Sequence, residues 1–167
     1  MELRPEDPTK LTDNVFELIG SDWMLITAGS REAFNTMTAS WGGMGVLWGK
    51  NVCFCVVRPI RHTFQFMESS DRFTLSFFDN RFREALSFCG SHSGRDVDKV
   101  METGLTPVFG GEGVFFAQAR LVLCCRKLYF HDIDPSHFVD PAIGPTHYPL
   151  RDYHRMYVGE ITLCLAG

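Results

Sequence analysis

The chain has no apolar run long enough to cross a membrane as a helix. Its longest stretches, such as Val52 to Val57, fall far short of the ~20 residues a span needs. No N-terminal basic-then-apolar segment precedes a cleavage site, so no export signal is expected and a cytoplasmic location follows. Excess positive charge is missing as well. A formal charge of −4 argues against nonspecific nucleic-acid binding, which rests on surplus Lys and Arg. There is no internal repeat, low-complexity tract or dividing linker. The six cysteines include no C-x-x-C pair and no zinc-knuckle spacing, so no metal site is expected.

The common nucleotide and hydrolase motifs are also absent. No G-x-G-x-x-G follows a strand, which excludes a Rossmann site. Gly49-Lys50 tempts a P-loop reading, but Met44 stands five positions before Gly49 and Asn51 follows the lysine. Neither G-x-S-x-G nor H-E-x-x-H occurs. What remains is a chain of 167 residues, 45 % apolar and 22 % charged, with 15 phenylalanines. At that size one folded domain, residues 1–167, buries a core without disulfides or metal. Residues 1–12, polar and carrying Pro5 and Pro8, read as an N-terminal arm. In a reducing compartment the cysteines are read as small buried hydrophobes; Cys53 and Cys55 would share a strand face, and Cys124 and Cys125 would oppose each other.

Strand patterns dominate. Asp22 to Ala28 and Asn35 to Trp41 read as strands, and the glycines at 42, 43, 45 and 49 make the next stretch loop-like. Asn51 to Arg58 is an apolar run suited to a strand buried on both faces, ended by Pro59. A short helix is predicted over Thr63 to Ser69 and a strand over Arg72 to Phe78. Asp79-Asn80 then starts a helix with Phe82, Ala85, Leu86 and Cys89 on one face, stopped by Gly90. Ser93 caps a further helix carrying Val97, Val100 and Met101 and ending at Gly104. Val114 to Phe130 reads as one long strand, with Leu121, Leu123 and Cys125 on one face and Arg120, Cys124 and Arg126 on the other. Arg155 to Leu165 closes the chain as a strand. The fold class is mainly β with short helices, an antiparallel sheet or barrel.

Four segments carry chemistry. Arg58-Pro-Ile-Arg61-His-Thr63 puts two guanidinium groups and a hydroxyl at a strand-to-helix junction, where free N–H groups favour phosphate. Ser91-His-Ser93-Gly-Arg95-Asp-Val-Asp-Lys99 repeats the recipe. Either segment alone also suits a solvated, serine-capped loop. Asn35-Thr-Met37-Thr38-Ala39-Ser40-Trp41-Gly-Gly43 alternates small and hydroxylated residues, an edge on which a flat heteroaromatic ring could meet main-chain N–H groups; an ordinary threonine-rich strand is the alternative. The last is Asp152-Tyr-His154-Arg-Met-Tyr157-Val-Gly159, in which His154 enters a strand and could face a ligand or serve structurally.

In this order the segments resemble the flavin reductase-like family of FMN-binding split β-barrel proteins, in its flavoredoxin-type branch. The matching residues are Asn35 to Gly43, Val57 to Thr63, Phe73 to Phe78, Cys89 to Lys99 with Thr103 to Pro107, and Tyr153 to Ile161. The resemblance spans roughly residues 20 to 165. It implies a six-stranded antiparallel split barrel working as a homodimer, with FMN near the subunit interface. Met37, Thr38, Ala39, Ser40 and Trp41 would line the ring. Arg58, Arg61 and Thr63 would serve the ribityl and phosphate end, joined by Ser91, Ser93 and Lys99. His154 would be the catalytic residue, near the flavin and the incoming nicotinamide. The activity implied is transfer of hydride or electrons from NAD(P)H through FMN to an acceptor. The alternative is a non-catalytic, flavoredoxin-like electron carrier that holds FMN tightly and exchanges electrons with a redox partner protein. Cys89, beside the second loop, is a candidate reactive thiol or a core residue.

Overall fold

The computed structural model describes residues 2–167. In chain order they form β1 (Arg4–Glu6), α1 (Val15–Gly20), β2 (Met24–Gly29), β3 (Phe34–Ala39), β4 (Gly42–Leu47), β5 (Lys50–Val57), α2 (Thr63–Ser69) and β6 (Arg72–Phe77). There follow α3 (Arg83–Ser91), α4 (Lys99–Thr103), β7 (Pro107–Gly110), β8 (Gly113–Phe116), β9 (Leu121–Asp132), α5 (Ile143–His147) and β10 (Arg155–Ala166). All strand pairs are antiparallel, and the main sheet runs β3-β2-β6-β9-β10-β5-β4. β10 is shared: residues 155–160 pair with β5, while residues 164–166 pair with β1. Register shifts at Val158/Gly159 and Ile161/Leu163 bend β10 against β9. Such bulges supply the curvature that rolls a sheet into a barrel. β3 and β4 remain as free edges, so the barrel is split, as the resemblance implies. β7 and β8 form a separate hairpin.

Two apolar clusters hold the layers. Ile26, Phe73, Leu75, Leu121, Leu123, Cys125 and Tyr157 fill the barrel. Leu25, Phe78, Leu86, Cys89, Phe116, Val122 and Cys124 lie on the other side of the sheet, under α3. β9 is therefore buried on both faces through residue 125, not apolar on one face only. The predicted strand from Val114 to Phe130 is also interrupted. Residues 117–120 turn, with Ala119 N–H bonded to Phe116 C=O and Arg120 N–H to Phe77 C=O, separating β8 from β9.

The loop expected at Gly42–Leu47 is instead the strand β4. Its glycines serve close approach: a Cβ on Gly43 would lie 2.4 Å from the Phe54 ring on β5. Gly90 continues α3 through Ser91 rather than ending it, because its bare Cα faces Thr38 on β3, whose Cβ would stand 3.3 Å from an added methyl. Asp98, not Ser93, caps α4, accepting from the N–H groups of Val100 and Met101; Gly104 ends it in the left-handed conformation, as expected. Within the expected arm, Arg4–Glu6 pairs as β1, and α1 follows Asn14, whose side chain accepts from Phe16 N–H.

All six cysteines are free and buried. Cys53 and Cys55 do share the barrel interior, and Cys124 and Cys125 point to opposite sides. Gly159, opposite Cys53 on β5, leaves room for the Cys53 and Cys125 sulfurs to meet 3.1 Å apart. Burial pushes the thiols up: Cys55 and Cys125 well above the ordinary value, Cys124 to about 12 and Cys164 to about 11. Cys89 is likewise raised by burial, partly offset by Lys99, and is a core thiol.

Candidate functional site

Two adjoining hollows collect every residue that the resemblance assigns to the ring, the phosphate end or catalysis. A cleft of about 170 Å³ is walled by residues 37–41 with Arg58 and His154. A second, of about 180 Å³, is walled by Thr63, Ser91, Ser93 and Lys99. Arg61 belongs to both and stands at their junction. The parts come from distant chain segments: the β3 edge, the loop from β5 into α2, the end of α3 with the following loop, and the entry to β10. α2 and α3 both pack against β3, which brings the two loops to its free edge.

In the first cleft the main chain is the polar feature. Lys99 Nζ donates to Thr36 C=O, so that carbonyl points off the free edge of β3. The two-residue repeat of a strand sends the N–H and C=O of Thr38 off the same edge. The Thr38 hydroxyl itself is turned away, donating to Leu86 C=O on α3 at 2.5 Å. Met37 is buried in the barrel core and forms the floor. Trp41 stands at the mouth, edge-on to His147 at 5.3 Å and tilted over His154 at 5.1 Å. His154 is only 8 % exposed, and its Nδ1 lies 2.8 Å from the Tyr148 hydroxyl. Burial, reinforced by Arg58 and opposed by Asp152, pushes its pKa down to about 4, so the imidazole is neutral at pH 7.

Arg58 lines the first cleft and not the second hollow, where Thr63, Ser91, Ser93 and Lys99 stand. Its Nη1 donates to Asp152 at 2.7 Å, its Nη2 to His147 C=O at 2.9 Å, and its guanidinium covers the Tyr148 ring at 5.2 Å. It is an anchor for the 147–154 loop at the wall of the first cleft. With its charge matched by Asp152, it is spent on the protein. Asp152 lies 94 residues further along the chain, which is why the sequence alone shows Arg58 as a free cation.

The second hollow is cationic. Among the described residues Arg61 Nη2 is buried without a hydrogen-bond partner, and burial followed by repulsion from Arg58 lowers the guanidinium pKa. Lys99 is 5 % exposed and donates to Thr36 C=O and Cys89 C=O, both at 2.8 Å, which leaves one N–H of the ammonium unused. Thr63 accepts from Asn35 Nδ2 at 2.8 Å and Ser93 from Arg95 N–H at 3.2 Å; both hydroxyls keep their own hydrogen to donate. Ser91 does not: its hydroxyl donates back into α3, to Ser87 C=O. α2 begins at Thr63 with no side chain capping it.

Three further groups belong here. His62 lines the hollow with a buried, unpartnered Nδ1, its pKa lowered by burial and then by Arg95 and Lys99. Arg95 reaches over Ile60 C=O at 3.4 Å. Gly94 lies so close to Asn35 that a Cβ would fall 2.0 Å from its Oδ1. All three sit inside the two segments read as phosphate-binding, so treating each loop as a unit would have found them. A larger groove of about 530 Å³ lies on the other side of Asn35 and Lys99, but Glu32, Asp96 and Asp98 offset Arg31 and Arg95 there. A phosphate fits the smaller hollow better, since it presents an unpaired buried guanidinium and an ammonium with a spare hydrogen.

The fold has many solved counterparts. An FMN-binding domain of a flavin reductases-like enzyme from Shewanella baltica OS155 superposes with a TM-score of 0.70 at 18% identity, over 98% of this chain and 76% of that one. Flavoredoxin from Methanosarcina acetivorans gives 0.70 at 18% identity, over 97% and 76%. An NADH:FAD oxidoreductase from Streptomyces globisporus C-1027 gives 0.65 at 17% identity, over 86% and 74%. No curated protein matches the sequence. The flavin reductase like domain matches residues 16–164, nearly the whole chain, and the protein belongs to that family.

Proposed function

We propose that the protein binds FMN, with the ring in the cleft along β3 and the phosphate in the cationic hollow, and acts as an NAD(P)H-dependent flavin oxidoreductase. The observation that carries this reading is Arg61. A buried guanidinium nitrogen with no partner among the described residues, at the joint of the cleft along β3 and a basic hollow, calls for an anion attached to a ring. FMN, when bound, supplies the two-electron chemistry. The chain's own contribution is binding and electrostatics. Arg61 and Lys99 neutralise the phosphate, with Ser93 and Thr63 as hydroxyl donors. Main-chain groups of Thr38 at the β3 edge meet the polar rim of the ring, and fixed dipoles of this kind favour charge that develops there. Trp41 and His154 close the mouth. The names of the structural neighbours support the same chemistry: one is an FMN-binding domain, one a flavoredoxin and one an NADH:FAD oxidoreductase.

A second copy of the chain is the proposed partner. β4 is a free edge, and Val46, Leu47 and Trp48 at its end are exposed, with Trp48 against Tyr129 and Phe130 exposed nearby. An apolar open edge of this kind is normally covered. No described helix is long and apolar enough to cross a membrane. Six unpaired thiols suit a reducing compartment such as the cytoplasm.

The test is an FMN titration of purified protein followed by NADH and NADPH oxidation assays. Micromolar or tighter FMN binding with turnover supports the enzyme. Binding without turnover assigns the protein to electron transfer, and absence of binding overturns the cofactor.

A further inference from the structure

Tyr148 is 4 % exposed, and its hydroxyl has one side-chain partner among the described residues, Nδ1 of His154 at 2.8 Å. A phenol carries a single hydrogen. If Nδ1 were protonated, that hydrogen would be buried with no acceptor. The satisfied arrangement is therefore Tyr148 O–H donating to a bare Nδ1, which puts the proton of the neutral imidazole on Nε2. Among the described residues Nε2 has no hydrogen-bond partner, and it is not one of the buried unpartnered atoms, so it opens to the cleft that His154 lines.

The tyrosine is itself held. Arg58 lies over its ring while bonded to Asp152 and to His147 C=O, and Phe138 stacks near-parallel to it at 6.0 Å. The charged groups facing the pair are Arg58 and Asp152, which are matched to each other.

We propose that Tyr148 is a positioning residue that fixes His154 as the Nε2–H tautomer, so that the cleft offers its ligand a neutral hydrogen-bond donor. The complementary ligand atom is an acceptor, a ring nitrogen or carbonyl oxygen of the bound heterocycle or of the molecule exchanging electrons with it. The identity of that ligand rests on the proposed function; the tautomer does not.

The test is a long-range proton–nitrogen NMR spectrum of 15N-histidine-labelled protein at pH 7, with His154 assigned by its loss in His154→Gln. Wild type is expected to show a protonated Nε2 and a bare Nδ1. Tyr148→Phe, which deletes one hydroxyl, is expected to show a tautomer mixture and a raised His154 pKa. In that variant NAD(P)H oxidation at saturating FMN should fall about tenfold, the scale of one hydrogen bond, with FMN affinity within about twofold. A protonated Nδ1 in wild type, or an unchanged tautomer in Tyr148→Phe, overturns the proposal. Failure to bind FMN would overturn the cofactor reading instead, with the spectrum still deciding the role of Tyr148.

Discussion

Replacing Lys99 with Met keeps the aliphatic stem and deletes the ammonium that lines the cationic hollow. In the wild type, burial holds the Lys99 pKa down to about 8 from 10.5, with Cys89 acting upward and Arg61 downward. That fall corresponds to roughly 3 kcal/mol of desolvation carried by the charged form. An unfolded lysine keeps its proton to 10.5, whereas the native one releases it from about 8. The unfolded state therefore binds more protons in between, and stability rises with pH across that window. A bound phosphate favours the ammonium, so FMN binding above pH 8 takes up a proton. FMN affinity should accordingly fall by up to about tenfold per pH unit between 8 and 10. Riboflavin, which lacks the phosphate, should show no such slope. Lys99→Met should weaken FMN by about 10- to 100-fold at pH 7, the range of a charge-assisted hydrogen bond, and abolish the alkaline slope. Flavin fluorescence titrations with both ligands at several pH values measure all of this. Equal losses for FMN and riboflavin, or an alkaline slope that survives the substitution, would refute the assignment of Lys99 to the phosphate.

Three other outcomes follow from the same geometry. His154 is neutral and buried with a pKa of about 4, so the unfolded chain takes a proton that the native imidazole refuses. Its stabilising contribution is present above 6.5 and is lost as pH falls through about 4, by up to about 3 kcal/mol; His154→Gln should flatten the urea-midpoint profile over that interval. A Cβ at Gly159 would lie 2.7 Å from the Phe73 ring and 2.9 Å from Cys125 Cβ, both deep in the barrel. Gly159→Ala should cost about 1–3 kcal/mol by overpacking, seen as a drop in Tm of several degrees by calorimetry. Trp48→Ser should shift sedimentation toward monomer while leaving the circular dichroism unchanged; an unaltered dimer would show that the partner covers another face.

The strands and short helices were legible where periodicity reflects burial, as in α2 over Thr63–Ser69 and the doubly buried β5. β4 was hidden because glycine usually signals a loop, and here it answers to the Phe54 ring across the ladder. The turn at 117–120 was hidden because two of its hydrogen bonds run to distant residues, Ala117 N–H to Thr106 C=O and Arg120 N–H to Phe77 C=O on β6. The convergence of the β3 edge with the 58–63 and 91–99 loops was readable as chemistry, because hydroxyls, glycines and cations cluster locally in each. Individual roles were less so. Thr38 and Ser91 spend their hydroxyls on α3 carbonyls, and Arg58 finds Asp152. α1 carries only Leu18 and Ile19 as buried residues, too few to set a visible period.

The concealed sulfurs of the barrel have a practical use. The thiolate is the form that attacks an alkylating reagent, and burial keeps it scarce in the native protein while also blocking approach. An alkylating agent should thus label the chain only during excursions in which strands part. With sulfurs on β5, β9, β10 and α3, the order in which they are modified would chart which seam of the molecule opens first.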